Sequence, residues 1–199
     1  MTVAYEQFEE VFRLLNGRLA LAGAPQFRLV VCGGTALLAM GLATRVTRDV
    51  DIVALADSHG NLIDPAPLPE PLVAAAKEVR GDLGLPENWL NNGPSSGDGG
   101  LYRLGLPLGF AERLNWISFG DNLRVGFISR FDQIHFKLYA AVDQFGGYHA
   151  DDLHTLIPSD EELLAAVSWT RTHDPSEGYL NSLKGFLREF DYEHLIRRI

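Results

Sequence analysis

Hydrophobic positions follow two different rhythms along this chain, and the places where the rhythm changes mark its elements. Between Tyr5 and Leu21 the apolar residues Phe8, Val11, Phe12, Leu15 and Leu19 recur every three or four positions, with Glu6, Glu9, Glu10 and Arg13 between them. That spacing predicts an amphipathic first helix. Gly23 and Pro25 end it, and the short apolar run over 27–32 suits a buried strand. Gly33-Gly34 interrupts the strand. Thr35 is placed to cap a second helix from Ala36 to about Leu42, and residues 49–55 read as a second strand. Proline, glycine, asparagine and aspartate crowd residues 57–71, which marks a surface loop, and a helix follows over 71–83.

Residues 84–97 form a long polar insertion, either a binding or lid segment or a disordered one. The β-rich runs 115–119 and 123–128 flank Gly120-Asp121-Asn122, a turn signal that predicts a hairpin extending the sheet. After Arg130 the pattern becomes helical. Phe131 to Val142 is apolar at helical period, and further helices are expected over 151–156, 159–170 and 176–190, with Ser159 as an N-cap followed by Asp160, Glu161 and Glu162. The elements predict an α/β (α+β) protein: a mixed twisted sheet with its first helices on one face in residues 1–130, and a helical C-terminal portion in 131–199 closing over the sheet's chemistry.

Composition narrows the picture. The chain has 199 residues, of which 46% are hydrophobic, enough to bury a core without disulfide or structural metal. Cys32 is the single cysteine, so disulfide scaffolds and cysteine-based zinc sites are excluded, and its expected place is core packing rather than nucleophilic chemistry. No apolar run is long enough to span a bilayer, and the first residues lack the basic-then-apolar pattern of a secretory signal. A cytoplasmic protein without membrane contact is expected. The formal charge of −9 repels polyanions, so tight nucleic-acid binding would need a local basic patch.

Two motifs carry chemistry. At a strand-to-helix turn, glycines permit close approach of a phosphate to backbone N–H groups, and Gly33, Gly34 and Thr35 meet that need; the plainer reading is a structural turn whose threonine caps its own helix. The Gly-x-Gly-x-x-Gly spacing of dinucleotide-binding turns is absent. Asp49 and Asp51 alternate with Val50, so both carboxylates project from one face of a strand with alpha carbons about 6.6 Å apart. Like charges this close repel unless a cation lies between them, and hard carboxylate oxygens select Mg²⁺ or Mn²⁺ over zinc. Arg45 is positioned to neutralise a nucleotide or acceptor phosphate, or to form a structural ion pair, while Arg48 should face away. His149 and His154 around Asp151-Asp152 offer a weaker transition-metal alternative lacking a third ligand. Trp89, Trp116 and Trp169 read as packing anchors rather than base-stacking platforms.

Gly33-Gly34-Thr35-Ala36-Leu37, followed one helix later by Arg45-x-Thr47-x-Asp49-Val50-Asp51, resembles the nucleotidyltransferase superfamily with the DNA-polymerase-β-like fold. Within it the likeness is to the abortive-infection type toxin nucleotidyltransferases and related small bacterial proteins of unknown function. Phe136-Lys137-Leu138-Tyr139-Ala140-Ala141 and His149-Ala150-Asp151-Asp152-Leu153 fit the later part of that pattern, so the resemblance spans about residues 29–156. It implies that Gly34 and Thr35 bind the triphosphate of an NTP, beside Gly33 and Arg45 as nucleotide-binding candidates from the residues themselves, that Asp49 and Asp51 hold Mg²⁺ (or Mn²⁺), that Lys137 contacts phosphate, and that Asp152, or Asp151, completes the acidic site. Read from the residues alone, Lys137 is a helix residue running its stem to solvent, and the two aspartates are an acidic pair at a helix N-terminus. Many members of the superfamily carry a third carboxylate on a later strand; here the strand over 123–128 bears Arg124 and no acid.

The function expected is Mg²⁺-dependent transfer of a nucleoside monophosphate from an NTP to a hydroxyl of tRNA or protein, with release of pyrophosphate, as the toxin of a toxin-antitoxin pair with an antitoxin protein as partner. The alternatives are a catalytically silent nucleotide sensor or protein-interaction module on the same fold, and a metal-dependent phosphohydrolase using the same aspartates. A shared hollow should hold Asp49, Asp51 and Thr35.

Overall fold

The computed structural model describes residues 3–42, 47, 49–144 and 146–199, with side chains from residue 8 onward. It is a mixed α/β protein that divides into two compact units, one ending at Ser129 and the other running from Arg130 to Ile199. No helix among the described residues is long and apolar enough to cross a membrane.

The first unit is built on a mixed sheet. Helix α1 (Val3–Leu21) leads into β1 (Phe27–Cys32), α2 (Gly33–Ala39), β2 (Val50–Ala56), β3 (Leu62–Ile63), α3 (Glu70–Leu83), β4 (Leu90–Asn91), the short α4 (Leu101–Leu104), β5 (Asn115–Ser118) and β6 (Leu123–Phe127). Strands run in the order β3-β2-β1-β6-β5, with β4 also paired to β2. β1 is antiparallel to β2 and parallel to β6, and β5 and β6 form the antiparallel hairpin that the Gly120-Asp121-Asn122 turn predicts. Since β1 takes one edge of β2, the other edge is shared by β4 at Val50 and Asp51 and by β3 at Leu55 and Ala56.

The apolar stripe of α1 does what its spacing requires. Phe12, Leu15 and Leu19 are buried, and Phe12 meets Phe119 at 4.9 Å between ring centroids and Phe127 at 6.2 Å. Arg18 pairs with Asp82 and Glu78 of α3 at the solvent side. Burial is continuous through the middle of the sheet: Leu29, Val30 and Val31 of β1 and Ile52, Val53 and Ala54 of β2 are fully covered, as strands covered on both faces demand.

Two expectations need correction here. Residues 84–97 are not a disordered insertion: Trp89 is buried, its Nε1 donates to the Ala76 carbonyl at 3.0 Å, and the next two residues are β4. The apolar anchor was hidden in a polar stretch. The second helix begins at Gly33 rather than Ala36, because Gly33 adopts φ +69° and turns the chain directly from strand into helix. Cys32, not Thr35, is therefore the N-cap, and no side chain caps the helix.

The second unit is helical: α5 (Arg130–Asp143), α6 (Tyr148–Thr155), α7 (Asp160–His173), α8 (Glu177–Glu189) and a closing 3-10 turn. Ile134, Leu138, Leu153, Leu163, Leu183, Leu187 and Leu195 form its core. Ser159 and Glu162 make a reciprocal capping box at the start of α7, satisfying two backbone donors at once. Burial pushes the Glu162 carboxyl up, but hydrogen bonds from Arg130 and from the Ser159 backbone, with the Arg130 charge, outweigh it and hold the group below its usual range.

Candidate functional site around Asp49 and Asp51

A β-bulge shapes the strand that carries the acids. The pairing of β1 and β2 slips between Val30 and Val31, so that Val30 faces Ala54 while Val31 faces Ile52, leaving Val53 as the extra residue. The buried hydroxyl of Ser95 donates to the Val53 carbonyl at 2.7 Å and satisfies it. Past the bulge, Val50 and Ile52 are buried and Asp51 is half-exposed, so the alternation predicted for the acidic strand holds. Asp49 lies one residue before β2 and is exposed.

The acids and the glycine turn meet at specific atoms. Asp51 is opposite Cys32 in the β1 register, which brings its side chain against the first residue of α2. A Cβ built on Gly33 would lie 2.6 Å from Asp51 Oδ2. A side chain at residue 33 would press on the carboxylate, and the positive φ favours glycine independently. A Cβ on Gly34 would stand 2.8 Å from the Cβ of Thr47, and the Thr47 hydroxyl donates to Asp49 Oδ1 at 2.7 Å. Thr35, 1% exposed, donates from its hydroxyl to the Asp49 carbonyl at 2.6 Å. Three consecutive residues of the turn thus seat the strand's acidic end: Gly33 receives Asp51, Gly34 receives Thr47, and Thr35 ties down Asp49. The space the glycines leave is occupied by the acidic strand.

Asn91 on β4 completes this arrangement from the other side. It stands opposite Asp51 in the parallel register, donates from Nδ2 to Asp51 Oδ1 at 3.0 Å, and accepts the Gly93 backbone N–H at its own Oδ1 at 2.8 Å. Neither Asn91 nor Thr47 was singled out by sequence as a side chain touching the acids. Thr47 had a local signal, two residues before Asp49; Asn91 had none, being forty positions from its partner.

Lys137 and Asp152 belong to the helical unit, where they meet each other. Lys137 Nζ donates to Asp152 Oδ2 at 2.7 Å, and the side chains are 5% and 4% exposed. The lysine also lies 5.8 Å from the centroid of the Tyr148 ring. The reading of Lys137 as a stem running to solvent is therefore wrong, since a carboxylate buried on the neighbouring helix holds the ammonium inside. Asp151 and His154 are exposed. Arg45 and Arg48 lie outside the described residues.

For a cation the relevant donors are the carboxylates of Asp49 and Asp51. Both are hard oxygen groups, and each accepts a hydrogen bond from a neutral side chain, Asp49 from Thr47 and Asp51 from Asn91. That chemistry fits Mg²⁺ or Mn²⁺ and not a thiolate-seeking metal. Among the described residues no group of three or more His, Cys, Asp or Glu is gathered to hold a metal, and β6 bears Arg124, 5.5 Å from the Trp116 ring centroid, where an acid was sought. Trp89 is a core anchor.

Compared with known proteins, the chain matches no family model, no curated protein and no solved structure.

Proposed function

We propose that this chain is a nucleotidyltransferase that uses Asp49 and Asp51 to bind a divalent cation and the triphosphate of an NTP. The observation that carries the reading is the seating of the Asp51 carboxylate beside Gly33, where φ of +69° favours glycine and no Cβ stands against the carboxylate. A decorative Asp-x-Asp on an exposed strand would need no such accommodation.

In this reading Asp49 and Asp51 would hold the cation that orients the phosphates, and Thr47 and Asn91 aim the two carboxylates. Mg²⁺, when bound, would supply the positive charge that stabilises negative charge on the phosphoryl oxygens. An acceptor hydroxyl oxygen forms a bond to the α-phosphorus as the bond from that phosphorus to the bridging oxygen breaks. Pyrophosphate leaves with that electron pair, and the hydroxyl proton passes to solvent water. The acidic balance of the chain favours a protein or small acceptor over tRNA.

Calorimetry of Mg²⁺-NTP binding tests the reading. Asp49→Ala and Asp51→Ala should each weaken binding at least about tenfold, and unchanged binding in both would overturn it. A second reading, a nucleotide sensor that does not turn over, is favoured by one observation: neither Arg124 on β6 nor Asn91 on β4 supplies a third acid. Incubation with labelled NTP, Mg²⁺ and cell extract separates the two, since binding without label transfer or pyrophosphate selects the sensor.

A further inference from the structure

We propose that the outer edge of β5 docks an extended segment of another protein, which joins the sheet as an antiparallel strand and sets one carboxylate beside Arg124 and one large apolar side chain beside Trp116. β5 is the last strand of the sheet, and among the described residues nothing pairs with its other edge. The hairpin ladder says which groups stand there. Phe119 N–H donates to the Leu123 carbonyl at 3.0 Å, and bonded and non-bonded pairs alternate along an antiparallel ladder. Asn115 and Ile117 therefore bond inward to β6, while the N–H and C=O groups of Trp116 and Ser118 point outward. Edge strands are normally guarded against pairing by lysine, proline or a bulge. β5 has none of these: Asn115-Trp116-Ile117-Ser118 is uncharged, and its register against β6 is unbroken. Asn115 and Ser118 are exposed, and Trp116 and Ile117, on opposite faces, are both half-exposed.

Two outward residues supply few backbone hydrogen bonds, so the choice of partner falls to side chains. Trp116 stands opposite Gly126, where a Cβ would lie 3.0 Å from the indole Cε2, so the ring rests on the bare backbone of β6. In the next row Ser118, Arg124 and Arg28 stand side by side across three strands. Arg28 gives its guanidinium to the Gln26 side chain and to the Asp57 and Ser58 carbonyls. Arg124 lies over the Trp116 ring, and among the described residues no carboxylate pairs with either arginine. A residue added opposite Ser118 would stand about 10 Å from the Arg124 backbone, two strand spacings away, and the small Ser118 side chain leaves the guanidinium a path to it. The residue two positions on would stand opposite Trp116 as its cross-strand partner. Read antiparallel to β5, the pattern is acid, any residue, apolar. A single carboxylate suits the site better than an acidic run, because the chain's charge of −9 repels a polyanion.

The test is fluorescence anisotropy of the full chain with the labelled peptide Thr-Thr-Glu-Thr-Phe-Thr-Thr and with its counterpart carrying lysine in place of the glutamate. The acidic peptide should bind about tenfold tighter, since an attraction is exchanged for a repulsion, and Arg124→Gln should bring the two within about threefold of each other. Ser118→Pro removes an outward N–H and leaves the ladder with β6 intact, so it should weaken the acidic peptide about tenfold. Should the proline disturb the hairpin, the peptide carries the same test: N-methyl groups on the Glu and Phe amides, which face β5, should abolish binding, and N-methyl groups on the flanking threonine amides should not. No binding of the acidic peptide by wild type, equal binding of the two peptides, or indifference to which amides are methylated overturns the proposal. So does a wild-type dimer in sedimentation that Ser118→Pro dissolves, because the edge then belongs to a second copy of this chain.

Discussion

Gly33 and Asp51 compete for the same space, and the competition explains why the turn is glycine before any ligand is considered. Gly33→Ala places a methyl 2.6 Å from Asp51 Oδ2 in a backbone with φ +69°, so steric and conformational costs add. Gly41 supplies the control, with φ +71° and nothing within 4 Å of its built Cβ. In urea denaturation Gly41→Ala should cost about 1 kcal/mol, the backbone term alone, and Gly33→Ala roughly 1–3 kcal/mol more. Equal losses would show that the Asp51 carboxylate yields to the methyl at no measurable cost. At this scale the acids were legible because strand alternation is a local rule, and the paired carboxylates announced themselves within three residues. The role of Thr35 was not, because its partner is a backbone carbonyl fourteen positions on. A side chain's hydrogen bond across a fold leaves no local pattern in sequence.

Elements with a long periodic face were readable, and short ones were not. The stripe of α1, the apolar run of β1, the hairpin of β5 and β6 and the capping residues of α7 follow from rules acting over a few neighbours. Strand β4 does not, since two residues have no periodicity and owe their pairing to the buried Trp89 before them. Helices α5 and α6 hold the other element-scale feature hidden from sequence, the Lys137 and Asp152 pair. Each charge was taken out of water, and their attraction offsets that cost only while both are present. Asp152→Leu alone should destabilise the protein by about 3–5 kcal/mol, and so should Lys137→Met, because each takes from a buried charge the opposite charge it faces. The double variant should recover most of that loss, as two apolar side chains replace two ions. Thermal unfolding of all four proteins completes the cycle. Additive losses would mean that the two residues are stabilised by other groups and not by each other.

At the scale of the whole molecule, 17 cationic against 26 anionic side chains bear on which acceptor the proposed nucleotide transfer would use. A chain that neutralises phosphates of RNA releases counterions, and the logarithm of its affinity falls with the logarithm of salt by about 0.7–0.9 per phosphate contacted. A net charge of −9 opposes approach of a polyanion at long range, and raising salt screens that repulsion. The two effects have opposite signs, so the salt slope reports which one governs. Filter binding of bulk tRNA between about 50 and 200 mM salt should give weak retention and a slope between zero and about −1. A slope steeper than about −3 would require a local cationic surface contacting several phosphates despite the overall charge, and would move the acceptor from protein to tRNA. The measurement bears on the acceptor alone, because the triphosphate binding proposed at Asp49 and Asp51 would depend on a cation held there and not on the sign of the distant surface.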